Sequence, residues 1–229
     1  MKKILTLSLL CFLLIACESY SQKTILAPSD FEKELSQNDV QLLDVRTAGE
    51  FQSGHLKNAL QANWNNKAEF KDRTSHLDIK KPVLVYCAAG SRSSAAGDWL
   101  MQQGFKVKEL KGGIISWKQS NKPVAQSSNE KPITATEYKV LTNLAAVVLI
   151  DFGADWCPPC IKMEPVIEQL KKDLGDKYTL VKVDAGVQTE LMKQVNVESI
   201  PTFIIYKNGS ESWRKTGIVD INELKQKIQ

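Results

Sequence analysis

Short apolar runs of strand length alternate with segments of helical spacing along most of the chain. Gln41–Val45 and Val83–Tyr86 are compact apolar runs, and Lys106–Leu110 is a weaker third. Between the last two, Ser93–Gln103 places Ala96, Trp99 and Leu100 on one helical face and stops at Gly104. Strands alternating with helices predict a parallel sheet with helices on both faces. The pattern then lapses: residues 121–132 carry little apolar content and two prolines, which predicts a linker. A second alternation follows. It reads as a helix over Thr134–Leu144, a buried strand over Val147–Phe152, a long helix to about Leu174 and a strand over Tyr178–Val183. Next come a helix over Gln188–Val195 and a strand over Thr202–Tyr206. Asn208-Gly209 then turns the chain into Glu211–Thr216, and Ile221–Ile228 closes as a helix. The halves differ in order and punctuation, so no internal repeat is present. The expectation is an α/β chain of two domains, residues 27–120 and 133–229.

The start of the chain follows another rule. Met1-Lys2-Lys3 is basic, and Ile4–Ala16 is apolar apart from Thr6 and Ser8. That run is short of the ~20 residues of a membrane span but suits a signal-peptide core. Its end, Leu14-Ile15-Ala16-Cys17, resembles the lipobox of bacterial lipoproteins. The resemblance implies a signal peptide over residues 1–16, diacylglycerol on the Cys17 sulfur and a tether over 17–26. The protein would then sit on the periplasmic side of the envelope, held to a membrane by lipid alone. An ordinary secretory signal with an incidental Cys17 is the alternative.

Composition narrows the remaining classes. With 43% hydrophobic and 24% charged residues, the chain is neither disordered, collagen-like nor a multi-span membrane protein. The net charge of +4 is small and both signs are interspersed, so nucleic acid is not an expected partner. Two histidines are too few for a His-rich metal site. Cysteine is more informative. Of five, Cys11 leaves with the signal and Cys17 carries lipid, so the mature body keeps Cys87, Cys157 and Cys160. An exported protein stapled by disulfides would show even pairs spread along the chain. Two cysteines at CxxC spacing and one alone point to chemistry instead.

Cys87 follows the buried strand ending at Tyr86 and precedes a helix, with Ala88-Ala89-Gly90-Ser91-Arg92 between. A strand-to-helix loop of small residues aims backbone N–H groups at one point, and the helix N-terminus adds positive potential. A thiolate there is favoured, so Cys87 is the candidate nucleophile. Arg92 adds positive charge suited to an anionic substrate. These residues resemble the rhodanese family over residues 27–120. The matching pieces are Leu43-Asp44-Val45-Arg46, Glu50-Phe51, Gly54-His55-Leu56, Asn58-Ala59, Val85-Tyr86-Cys87, Gly90-Ser91-Arg92-Ser93-Ser94, Gly104-Phe105, and Leu110-Lys111-Gly112-Gly113 before Trp117. The resemblance implies that Cys87 accepts sulfane sulfur as a persulfide from a small donor such as thiosulfate. Gly90, Ser91 and Arg92 would bind the substrate. Four residues between Cys87 and Arg92 match the sulfurtransferase loop rather than the longer loop of related phosphatases. Asp44 and Arg46 would support the site by ion pairing, and His55 packs.

Cys157 and Cys160 follow a buried strand and open a helix, the context in which CxxC is a redox pair. Zinc would need two further ligands of matching type, which the chain does not offer in a second CxxC or HxxxH. Val148–Phe152, Ala154–Cys160, Met163, Pro165, Val181–Asp184, Val197–Phe203 and Lys207-Asn208-Gly209 resemble thioredoxin over residues 133–229. The resemblance implies a buried acid at Asp151 serving Cys160, and a cis-proline at Pro201 whose neighbouring backbone pairs with substrate. Two positions depart from that pattern: Gly153 replaces a tryptophan, and Pro158 replaces the glycine between the cysteines. The dipeptide tunes the potential, so the redox direction stays open. Trp64, Trp99 and Trp213 read as packing.

The combined expectation is an exported, lipid-anchored sulfurtransferase and thiol-disulfide oxidoreductase without cofactor or metal. Cys87 takes sulfur, the Cys157–Cys160 dithiol reduces the persulfide or protein disulfides, and a membrane thiol reductant restores it. Two alternatives remain. One is a protein-disulfide oxidoreductase for exported proteins beside an independent rhodanese domain; the other makes one domain a binding module.

Overall fold

A computed structural model describes residues 23–37, 39–125 and 131–229. The expected signal peptide, Cys11 and Cys17 lie outside the described residues. The first domain is a five-stranded, all-parallel sheet of β1 (Thr24–Leu26), β2 (Gln41–Asp44), β3 (Leu60–Gln61), β4 (Val83–Tyr86) and β5 (Val107–Leu110), in the order β1-β5-β4-β2-β3. Side-chain alternation sorts its two faces. Leu43, Val45, Val83, Val85 and Val107 pack under α3 (Lys67–Thr74) and α4 (Ser91–Gln102), through Phe70, Ala96 and Leu100. Leu42, Leu84, Tyr86 and Leu110 pack under α1 (Pro28–Leu35), α2 (Ala48–Gln52) and α5 (Gly113–Gln119), through Phe31, Phe51, Ile114 and Trp117. Both faces are therefore covered, as the alternation predicts.

Two expected boundaries shift. The tether assigned to residues 17–26 gives way to sheet at Thr24, because β1 pairs along the exposed edge of β5. The linker assigned to 121–132 begins pinned: Ala125 and His55 exchange backbone bonds of 2.9 and 2.7 Å, and Trp117 Nε1 donates to Pro123 O at 2.9 Å. At its far end Gln188 Nε2 donates to Lys131 O at 3.2 Å.

The second domain has α6 (Ala135–Leu141), capped by Thr134 and Glu137 in a capping box. Its sheet contains β6 (Val147–Gly153), β7 (Thr179–Asp184), β8 (Thr202–Lys207) and β9 (Ser210–Thr216), in the order β7-β6-β8-β9. Only β6 and β7 are parallel; β8 and β9 form the hairpin expected at Asn208-Gly209. One face packs on α6 and α8 (Thr189–Gln194), the other on α7 (Pro158–Leu174) and α9 (Ile221–Ile228). No helix among the described residues is long and apolar enough to cross a membrane.

One aromatic side chain is shared between the domains, beside the approach of α3 to α7. Trp156, just before Cys157, packs against the apolar clusters of both domains. Its ring lies 5.4 Å from that of Phe51, and the Arg73 guanidinium stands 5.3 Å from its centroid. Gln61 N–H donates to Trp156 O at 2.8 Å, so the free edge of β3 is closed by the loop that carries the CxxC pair.

Candidate active sites

Cys87 stands one residue past β4, where the strand ends and the chain turns into α4. Gly90, at φ 112°, lets the loop double back so that its N–H reaches Cys87 Sγ at 3.1 Å. From below, Gly112-Gly113 brings the start of α5 against the loop: Ile114 and Ile115 N–H donate to Cys87 O and Ala88 O at 2.9 and 3.1 Å. Any Cβ on Gly113 would lie 2.6 Å from Ala88 O, so this approach needs glycine. Burial pushes the Cys87 thiol up. Hydrogen bonds from the Ser93 hydroxyl and from the Ser93, Gly90 and Ala89 amides outweigh burial, and the thiol lies below its ordinary value. The result is a nucleophile held in a ring of N–H donors, itself only 2% exposed.

The residues expected around Cys87 fall into place unevenly. Gly90 touches the sulfur, whereas Ser91 is exposed on the first turn of α4. Arg92 does not face an empty loop. Both its terminal nitrogens lie on Glu50 of α2, at 2.6 and 2.7 Å, and Arg92 in return holds the Glu50 carboxyl down at about 2. An anionic donor would have to share or displace that carboxylate. Asp44 and Arg46 pair directly and are buried, through contacts of 2.6 and 2.9 Å, and Arg46 also donates to Gly54 O at 2.8 Å. His55 stacks on Phe51 with ring centroids 3.8 Å apart. Three residues that sequence reasoning passed over meet behind Cys87: Ser93, Glu109 and Lys23. Ser93 Oγ is 3.4 Å from the sulfur and 2.8 Å from Glu109 Oε1. Lys23 Nζ is 3.3 Å from Glu109 Oε2. One signal was present, an acidic residue at an inward position of a strand.

The second site is built more locally. Cys157 caps α7, and Cys160 lies within its first turn, joined to Cys157 by a disulfide. Cys160 N–H donates to Cys157 Sγ at 3.4 Å, the anion-stabilising arrangement of a helix start. Ile200–Pro201 is cis, and Ile200 O lies 3.7 Å from Cys157 Sγ. Cys157 is 0% exposed and Cys160 9%, both within the apolar cluster of Phe152, Val183 and Ile200 against which Trp156 packs. Asp151 on β6 is pushed up to about 6, mainly by burial, with Lys182 pulling it down and Glu164 raising it further. Gly153 stands between Asp151 and the pair: a Cβ there would be 3.4 Å from Asp151 Oδ1 and 3.9 Å from Cys160 Sγ. The missing side chain leaves a cavity of about 230 Å³, bordered by Asp151, Cys160 and Lys182. No cluster of side chains suited to a metal occurs among the described residues.

Comparison with known proteins fits this geometry. Residues 130–229 match the thioredoxin family model, and residues 27–120 match the model of the rhodanese-like domain. Chloroplastic thioredoxin Y of Oryza sativa subsp. japonica is 42% identical over 157 residues, 69% of this chain and 81% of the relative. The chain belongs to the thioredoxin family. Thioredoxin of Rickettsia bellii is 38% identical to this thioredoxin over 77 residues, 34% of the chain and 73% of the relative. Among solved structures, a rhodanese-related protein from Thermoplasma volcanium is 28% identical. It covers 45% of this chain and 98% of its own, at a TM-score of 0.41. Plasmodium falciparum thioredoxin is 33% identical over 42% of this chain and 92% of its own, at a TM-score of 0.37. The C-terminal half thus carries thioredoxin-type dithiol–disulfide chemistry, joined to a rhodanese-like domain.

Proposed function

We propose that this chain is an exported, lipid-anchored protein that takes sulfane sulfur at Cys87 and reduces it at Cys157–Cys160. The carrying observation is the juxtaposition of a thiol ringed by N–H donors with a redox disulfide whose flanking Trp156 docks on the same domain. The Cys87 thiolate attacks the outer sulfur of thiosulfate; the S–S bond breaks, sulfite leaves and a persulfide remains. The Cys157 thiolate takes the outer sulfur, releasing the Cys87 thiolate. Cys160 then attacks Cys157 Sγ and expels hydrosulfide. Two electrons pass from the dithiol to the sulfane sulfur, leaving the disulfide, which a membrane thiol reductant of the envelope must reduce again. Both sulfurs are buried in the docked arrangement, at 2% and 0% exposure, so transfer requires Trp156 to leave Gln61 and Phe51. A cleft of about 990 Å³ between Trp156, Ile200 and Arg73 is the space through which the domains part. Tethering keeps the sites at an effective concentration of about millimolar.

The test loads Cys87 with sulfur, reduces Cys157–Cys160 and follows sulfide release. The intact chain should release it much faster than separated domains mixed at micromolar concentration. Cys160→Ser should trap a Cys157 persulfide or a Cys87–Cys157 disulfide. Equal rates without an adduct would leave two independent activities, the oxidoreductase for exported proteins among them. For the anchor, the mature N-terminus should carry lipid mass on Cys17, and Cys17→Ser should release the protein from membranes. A lipid-free wild-type N-terminus would remove the anchor from the reading.

A further inference from the structure

Behind the Cys87 loop lies a carboxylate that the sulfur chemistry above does not use. Glu109 on β5 is 3% exposed, and its Oε1 accepts the Ser93 hydroxyl at 2.8 Å. Its Oε2 is buried without any hydrogen-bond donor. Lys23 Nζ stands 3.3 Å away, yet its three N–H groups go to Ser94 O, Ser94 Oγ and Asp98 Oδ1, each at 2.8 Å. Lys23 therefore balances charge without satisfying Oε2. Glu109 thus keeps buried lone pairs that no donor occupies.

The arrangement is built rather than incidental. Gly97, inside α4, makes room for the lysine stem: a Cβ there would lie 2.9 Å from Lys23 Cδ and 3.3 Å from Val107 Cγ1. Glycine inside a helix is destabilising relative to alanine. Here alanine would force the Lys23 stem to shift. Ser93 completes the chain. Its Oγ has one hydrogen and two lone pairs, and Cys87 Sγ is 3.4 Å away. Three acceptors surround that hydrogen, with Gly90 O at 3.0 Å, and Glu109 is the nearest at 2.8 Å; with the hydrogen on Glu109, a lone pair is left for the Cys87 thiol.

Resting on the reading of Cys87 as the sulfur acceptor, we propose that Glu109 is a positioning residue that takes up the Cys87 proton through Ser93. The S–H proton passes to Ser93 Oγ while the Ser93 O–H proton passes to Glu109 Oε1. No electrons change hands and the net charge is constant. The chain of hydrogen bonds reverses: the neutral carboxyl now donates to Ser93, and Ser93 donates to the thiolate. That donation joins the Gly90 N–H already on the sulfur.

A proton shared along this chain of hydrogen bonds gives Cys87 reactivity a two-step dependence on pH rather than a single step. The charged groups facing Cys87 and Glu109 are the Arg92–Glu50 and Asp44–Arg46 pairs and Lys23 with Asp98, while Tyr86 lies beneath. Glu50 is held at about 2, and burial drives Tyr86 well above its ordinary value. His55, disfavoured as a cation by burial, stacks on Phe51 rather than on the loop.

The experiment alkylates the full chain with iodoacetamide between about pH 5 and 10, its disulfide intact, and quantifies the Cys87 peptide by mass spectrometry. Wild type should show a flat shelf of reactivity below neutrality and a second rise at high pH. Glu109→Gln should lose the shelf, reacting at least about tenfold more slowly near pH 6, and match or exceed wild type at the alkaline end. Ser93→Ala, which leaves the ion pair alone, should lose the shelf too. Lys23→Met should raise it, because the counter-charge no longer holds the proton off Glu109. A single-step wild-type profile, or a Glu109→Gln profile that keeps the shelf or is slowed equally at every pH, overturns the relay. A shelf in a protein that takes no sulfur from thiosulfate upholds the relay and removes only the sulfur-acceptor reading.

Discussion

The two sulfur sites of this protein solve the same electrostatic problem by different means. Cys157–Cys160 is stabilised by what stands next to it in the chain: a helix start, a disulfide three residues long and a strand that ends just before it. Cys87 is stabilised by parts brought from afar. Its loop rests on Gly112-Gly113 at the start of α5, and its hydroxyl partner Ser93 reaches back to Glu109 of β5, a carboxylate paired in turn with Lys23 at the start of the described chain. A local site tolerates change in its surroundings and is tuned by its own dipeptide. An assembled site inherits the stability of every element that feeds it.

That contrast can be broken in several ways, the most drastic first. Cys87→Ser should abolish sulfur loading from thiosulfate, read as one added sulfur mass, and leave insulin reduction by the dithiol intact. Cys157→Ser should do the reverse. Shared loss in both variants would mean that the sites are not separable.

Gly113→Val should cost more than any helix-surface change. Its side chain meets the Ala88 carbonyl at a distance that no Cβ adopts, at φ 58°. The expected loss is about 3 kcal/mol or more in urea unfolding, with Cys87 alkylation changed and the Cys157–Cys160 potential unchanged.

Asp151 provides the matching probe of the local site. Its carboxyl is raised from 3.8 to about 6 in the folded chain. The folded state therefore keeps a proton that the unfolded state releases as pH rises. Stability is full below the unfolded value, falls as pH rises from 3.8 to about 6, and stays lower above it. The difference is on the order of 3 kcal/mol. Asp151→Asn should flatten that dependence and be the more stable protein at pH 8 by denaturant titration, and an unchanged slope would refute the assignment.

Trp156→Ala addresses the contact between the sites. Losing its packing on Phe51 and its place under Arg73 should weaken docking by about 1–2 kcal/mol. Hydrogen exchange at the Gln61 amide should accelerate while the Ser94 amide inside α4 stays protected. The smallest effect belongs to the half-exposed Glu50–Arg92 pair. Glu50→Gln should cost under about 1 kcal/mol in stability. It frees the Arg92 guanidinium and should lower KM for thiosulfate, and a raised KM would place Glu50 in substrate binding.

Much of this was legible in the residues. The second site announces itself because strand, CxxC and helix are contiguous, a buried apolar run giving way to helical spacing. Pro201 was assigned by likeness and is cis in the fold, facing Cys157 across Ile200. Asp44 and Arg46 pair as expected, being two residues apart on one strand end. The short elements α1, α2, α3, β3 and α5 were not placed, since helices of five to eight residues carry too few periods to stand out and β3 has only two residues. β1 escaped for a similar reason: three residues on a sheet edge are specified by their pairing with β5 rather than by their own pattern.

By itself, then, the sequence determined two α/β domains, a CxxC pair and a lone cysteine each at a strand-to-helix junction, because short-range order and local backbone geometry decide those. Tertiary structure alone decided that Arg92 is already paired with Glu50 and that Trp156 is shared between two cores. It also decided that Lys23, Glu109 and Ser93 line up behind Cys87. Ser93 and Glu109 are 16 residues apart, and Lys23 lies farther still from both. Contacts of that range depend on strand order and on the room left by one glycine, and neither leaves a period in the sequence.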